Sequence, residues 1–222
     1  MADLLESLRI DADDPGVPPA AGTVIWLHGL GADATDFEPV VPLLDLDMTL
    51  NFVFPNAPVR PVTINGGMEM RAWYDIDPGA PLAGAEDIRT AAAQISALVD
   101  AEIARGIPRK RITLAGFSQG GVIALQLGLR SGRFAGIMAL STYVHDSEHL
   151  ADEVSFTSID TPIFMAHGLA DPMIPIARAV ASRIALEKLN YQVEWHEYGM
   201  GHQVCPEELA DISSWLNRIY AT

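Results

Sequence analysis

The feature that most restricts this chain is a serine between glycines where a strand-like run meets a helix-like run. Ile112-Thr113-Leu114-Ala115-Gly116-Phe117 is short and apolar, as a parallel strand covered on both faces must be. It leads into Gly116-Phe117-Ser118-Gln119-Gly120, and residues 118–129 are small and apolar on nearly every side, which predicts a deeply packed helix. The pattern G-x-S-x-G alone arises by accident in roughly one chain in ten of this length. Between a strand and a helix it means much more. A turn that sharp forces the serine into a strained conformation, and glycines must clear the neighbouring backbone. The hydroxyl then stands above the end of the sheet, beside the N–H groups and positive dipole end of the helix.

The rest of the chain supplies the sheet that such a turn requires. Residues 23–28, 50–54, 136–140 and 162–166 are further short apolar runs bounded by Gly, Pro or Asp. Residues 192–198 alternate, with Val193, Trp195 and Glu197 on one side, and predict a half-exposed outer strand. Residues 85–105 carry Ile88, Ala91, Ile95, Leu98, Val99 and Ile103 at helical spacing and stop at Gly106 before Pro108. Residues 177–189 and 207–220 are amphipathic, the latter with Pro206 at its first position. Strands alternating with helices predict an α/β class: a doubly wound, mostly parallel sheet with helices on both faces. The 222 residues suit a single domain, 1–222. Within it, residues 1–22 read as an acidic lead-in arm or edge strand. Residues 61–83 have no regular period, yet hold Ile64, Met68, Met70, Trp73, Tyr74 and Ile76. A stretch that long is expected to do something, and a lid with a substrate pocket formed by Met68, Met70 and Trp73 is the expectation.

A serine hydroxyl needs a base to become a nucleophile. In strand–elbow–helix enzymes the acid and then the histidine follow the serine. His202, in Tyr198-Gly199-Met200-Gly201-His202, falls in a glycine-flanked loop between the last strand and the last helix, where the base is required. His196 lies within a strand and reads as structural or solvent-facing, and His167 as packing or a loop hydrogen bond. Asp171, in His167-Gly168-Leu169-Ala170-Asp171-Pro172, follows the 162–166 strand at the carboxyl end of the sheet. It would hold the imidazole in one tautomer. Asp160 precedes that strand and falls at the wrong end. Developing negative charge on an acyl oxygen needs two preset donors. The N–H of Gln119 is one, and the loop His28-Gly29-Leu30-Gly31 offers the other, most naturally Leu30. His28 itself reads as a structural loop residue.

Composition removes several function classes. With 29 acidic against 14 basic residues the net charge is −15, which disfavours nucleic acid and anionic membrane surfaces as partners. A single cysteine, Cys205, permits no intrachain disulfide and leans towards the cytoplasm. The first residues carry no signal-peptide pattern, and no run is long enough for a membrane span. His145 and His149 have helical spacing, but no further ligand accompanies them. They read as a solvated face, and no metal is expected.

The segments Leu27-His28-Gly29-Leu30-Gly31-Ala32-Asp33, Phe54-Pro55-Asn56-Ala57-Pro58, Arg71-Ala72-Trp73-Tyr74-Asp75-Ile76, Gly116-Phe117-Ser118-Gln119-Gly120-Gly121, His167-Gly168 to Asp171-Pro172 and Gly201-His202 together resemble the phospholipase/carboxylesterase family. The likeness runs from about Thr23 to the C-terminus, in matching order. That family includes bacterial carboxylesterases and eukaryotic acyl-protein thioesterases, and the Arg71–Ile76 stretch looks closer to the former. The resemblance implies the α/β-hydrolase fold, the triad Ser118, Asp171 and His202, oxyanion donors Leu30 and Gln119, no cofactor, and a homodimer as a common assembly. The expected activity is hydrolysis of small to medium acyl esters through an acyl-serine. A thioesterase or lysophospholipase with the same triad is the first alternative. A non-catalytic binding module of the same fold is a remote one.

Overall fold

The short apolar runs become the inner strands of one sheet, because each alternates its side chains between two buried faces. A computed structural model describes residues 4–12, 19–80 and 82–221. The strands are β1 (Ser7–Ile10), β2 (Thr23–Leu27), β3 (Asn51–Pro55), β4 (Val59–Val62), β5 (Met68–Arg71), β6 (Ile112–Phe117), β7 (Gly136–Leu140), β8 (Ile163–Gly168) and β9 (Val193–Tyr198). The helices are α1 (Ala85–Ala104), α2 (Gln119–Arg130), α3 (Leu150–Glu153), α4 (Ile176–Lys188) and α5 (Pro206–Tyr220). Among the described residues, seven strands form the main sheet in the order β1-β3-β2-β6-β7-β8-β9. All neighbours are parallel except β1 and β3. This is the mostly parallel α/β-hydrolase sheet that the sequence predicts.

Ile25 and Leu27 of β2 join the core cluster that holds α1 and α2, while Val24 and Trp26 join the one that holds α5. Both faces of the sheet are thus covered. On α1 the predicted apolar stripe is buried, except Ile103, which is exposed. Glu102 is buried next to it. Its carboxylate accepts Arg9 Nη1 at 2.8 Å and Thr23 Oγ1 at 2.9 Å. This ion pair ties β1, in the N-terminal arm, to the body of the fold. Pro15 to Pro18 of that arm, and Pro81, lie outside the described residues.

The expectation of an irregular 61–83 needs correction at its start. Residues 59–71 form an antiparallel hairpin of β4 and β5, separate from the main sheet, which turns through Gly66-Gly67. Pro61 within β4 and the exposure of both strands hide it from a periodicity reading.

Helix α5 contains a buried acid. Burial pushes the Glu208 carboxyl up to about 8, although the Cys205 backbone N–H works the other way. The folded protein therefore keeps a proton that the unfolded chain releases near 4.5. The stability this gives is complete below that pH and is lost as pH rises towards 8. Glu208→Gln is expected to flatten that loss, by up to a few kcal/mol. Thermal melts from pH 5 to 9 test it, and equal slopes for both proteins would refute it. No helix among the described residues is long and apolar enough to cross a membrane.

Candidate active site

The elbow is built as the sequence requires. Ser118 has φ 54° and ψ −119°, a region that costs roughly 1–3 kcal/mol and persists only where the surroundings enforce it. Its N–H donates to Leu140 O at 2.9 Å, and its carbonyl accepts Thr142 Oγ1 at 2.7 Å. A Cβ on Gly116 would overlap the Gly120 backbone, and one on Gly120 would overlap Leu27 O. Only glycine fits on either side.

The loops after β8 and β9 bring Asp171 and His202 together. His202 Nδ1 meets Asp171 Oδ2 at 2.7 Å, so Nδ1–H donates and Nε2 keeps its lone pair. Asp171 Oδ1 accepts the N–H groups of Met173 at 2.8 Å and Ile174 at 2.9 Å. Burial works to raise the Asp171 pKa. The Ile174 N–H, His202 and the Met173 N–H outweigh it and hold the carboxyl below the usual carboxylate value. Phe117 packs against the imidazole, with ring centroids 4.7 Å apart. Ser118 and His202 line one cavity of about 500 Å³.

Leu30 and Gln119 line the same cavity. Among the described residues, neither backbone N–H meets an acceptor within the chain. The Leu30 loop is braced from below by His28. That buried ring donates from Nδ1 to Gly29 O at 2.7 Å and accepts the Ala57 N–H on Nε2 at 3.1 Å. Burial lowers its pKa, so the ring remains neutral and keeps both bonds. Its reading as a structural loop residue fits.

Two braces were invisible in the sequence. Trp73 Nε1 donates to His28 O at 2.9 Å. The Gln119 side chain accepts the Trp73 N–H at 3.0 Å and donates to Tyr74 O at 2.8 Å. Gln119 therefore ties the 72–74 stretch to the elbow. His167 braces the acid in turn. It is wholly buried, with Nε2 2.9 Å from Ile174 O and 3.3 Å from Asp171 Oδ2. It makes the loop hydrogen bond expected of it, and it does so at the acid.

The expected pocket residues fare differently. Met68, Met70 and Trp73 do not line the cavity: Met68 is 64% exposed, and Trp73 is buried against His28. From the same stretch, Ile64, Asn65, Tyr74, Asp75 and Ile76 do. The solvated-face reading of His145 and His149 also needs correction. His149 is exposed and pairs with Asp146, whereas His145 is buried and lines the cavity. Asp146 has φ 50°, so no helix places the two on one face. Among the described residues, no group of three or more His, Cys, Asp or Glu could hold a metal.

A family profile described as Phospholipase/Carboxylesterase matches residues 14–220. The chain belongs to that family. As a phospholipase/carboxylesterase family member it is a hydrolase. Among its relatives, acyl-protein thioesterase 1 of Yarrowia lipolytica is 36% identical over 212 residues, spanning 91% of this chain and 93% of that one. Acyl-protein thioesterase 1 of Neurospora crassa is 40% identical over 216 residues, spanning 91% and 88%. The crystal structure of esterase PE8 superposes with a TM-score of 0.82 at 28% identity, spanning 98% of this chain and 100% of that one.

Proposed function

We propose that the protein hydrolyses acyl thioesters, and oxygen esters beside them, through an acyl-serine intermediate. The observation that carries this reading is the 2.7 Å contact of His202 Nδ1 with Asp171 Oδ2 beside the cavity lined by Ser118. Ser118 Oγ attacks the acyl carbon and passes its proton to His202 Nε2. Asp171 holds the ring and stabilises the imidazolium. The N–H groups of Leu30 and Gln119 receive the oxyanion. Collapse expels a thiolate or alkoxide, which takes the proton from His202. Water then repeats the cycle on the acyl-serine, and the carboxylic acid leaves. The scheme calls for neither cofactor nor metal.

The sequence alone favours carboxylic esters, with thioesters as the alternative. The names of the relatives at 36% and 40% identity move the weight to thioesters. The likeness to an esterase at 28% identity keeps the carboxylesterase as a second reading. One triad serves both, so the leaving group and acyl length must be measured. The test is kcat/KM on acyl thioesters and p-nitrophenyl esters of matched chains, acetyl to lauroyl. Both series are expected to turn over, with thioesters ahead at equal length. Each acyl methylene that finds a buried place adds at most about fourfold. Turnover of esters alone would restore the carboxylesterase. No turnover, and no covalent adduct of Ser118 with a fluorophosphonate, would overturn the reading.

A further inference from the structure

The cavity has a wall that the proposed scheme leaves unused. Arg178, in the first turn of α4, lies over the Tyr143 ring, its Cζ 3.3 Å from the ring centroid. A guanidinium stacked on an aromatic face keeps its N–H donors free at the edge, in the fork that matches a carboxylate. Among the described residues Arg178 forms no ion pair. Three carboxylates, Asp36, Asp75 and Asp77, share the cavity lining. Asp75 spends both oxygens on Thr63, and Asp77 caps the Gly79 N–H. None of the three reaches Arg178.

The side chains around Arg178 are also short of acceptors. The hydroxyls of Tyr74 and Tyr143 lie 3.0 Å apart, both buried in the cavity wall. The pair holds two hydroxyl hydrogens and spends one on itself, so one donor is left over. His145, only 8% exposed, lines the same cavity, and its Nε2 is buried without a partner. The charge of Arg178 bears on both His145 and Tyr74, so these groups form one cluster. A buried polar atom left without a partner costs about 1–3 kcal/mol. An incoming carboxylate would take the spare tyrosine hydroxyl proton, and the ring proton of His145 in its Nε2–H tautomer, and would meet the free cation.

We propose that this wall is an anion subsite, in which Arg178, with the Tyr74–Tyr143 pair and His145, receives a carboxylate carried by the substrate. The inference rests on the reading of this cavity as the substrate site. The carboxylate can belong to the acyl chain, as in a half-ester of a dicarboxylic acid, or to the leaving group. Two substrate pairs separate these sources. The first is the p-nitrophenyl monoester of adipate against p-nitrophenyl hexanoate. The second is 4-butyryloxybenzoate against its methyl ester.

For one of the pairs, Arg178→Gln is expected to lower the ratio of kcat/KM, anionic over neutral, by about tenfold or more. Arg178→Lys should restore part of it, since a point charge lacks the fork. A direct binding readout keeps the subsite separate from catalysis. Calorimetric titration with adipate should show wild type binding about tenfold tighter than Arg178→Gln. Arg178-dependent adipate binding without turnover of any ester or thioester would sink the catalytic reading and keep the subsite. Equal ratios in both substrate pairs, together with equal adipate affinities, would reduce Arg178 to a stacking partner of Tyr143 and overturn the proposal.

Discussion

Ser118→Ala is expected to lower kcat by about 10⁴-fold or more while the protein remains folded. The anchors of the elbow are backbone groups: the Ser118 N–H on Leu140 O, and the Ser118 carbonyl under Thr142 Oγ1. Alanine keeps both, and it bears the positive φ no worse than serine does. What disappears is Oγ. Serine, histidine and aspartate act as a unit, so losing one forfeits nearly all their joint contribution. Residual turnover would come from the donors on Leu30 and Gln119 and from binding alone. The measurement is kcat on the best substrate of the thioester and ester series, with a melting curve to check the fold. A variant that keeps a tenth of wild-type activity, with contamination excluded, would show that another group attacks.

The inner sheet was legible because its strands are buried on both faces, and burial writes itself as short apolar runs. β2, β6, β7 and β8 fall within two residues of those runs at every boundary. β1 was faint, since it is four half-buried residues at an antiparallel edge. The β4–β5 hairpin left no period because its strands are short and mostly outside the core, with Val62 their one buried residue. The candidate triad was legible for a different reason: its members follow particular strands, and strands could be counted. Pocket lining was not legible. Composition picked Met68 and Trp73 as apolar walls, but the hairpin turns Met68 to solvent, and the Trp73 indole is drawn to His28 O. Which way a loop side chain points is decided by partners far along the chain. The same holds for Gln119, predicted for its backbone N–H, whose side chain fastens Trp73 and Tyr74. His145 was hidden by a left-handed Asp146, which no spacing rule reports.

Asp171→Asn is expected to cost roughly 10³–10⁴-fold in kcat, with little change in fold. The geometry says which way the amide must turn. Oδ1 accepts two backbone N–H groups, from Met173 and Ile174. Only an oxygen can remain there, so the NH₂ of asparagine is forced to the Oδ2 side. That side faces His202 Nδ1 at 2.7 Å and His167 Nε2 at 3.3 Å. An NH₂ is a donor and asks Nδ1 for a lone pair, which moves the imidazole proton to Nε2. There it occupies the lone pair that the Ser118 proton requires. His167 adds to the mismatch: its Nε2 meets Ile174 O at 2.9 Å and so carries a proton, which now faces a second donor. The tautomer is therefore held wrong by the same loop that holds it right in the wild type. The control is Asp160→Asn. Asp160 is exposed, just ahead of β8 and at the opposite end of that strand from Asp171, and its replacement should leave kcat near wild type. Steady-state kinetics of the two variants side by side decide the matter. Near-normal turnover in Asp171→Asn with a large loss in Asp160→Asn would mean that Asp171 is not the acid.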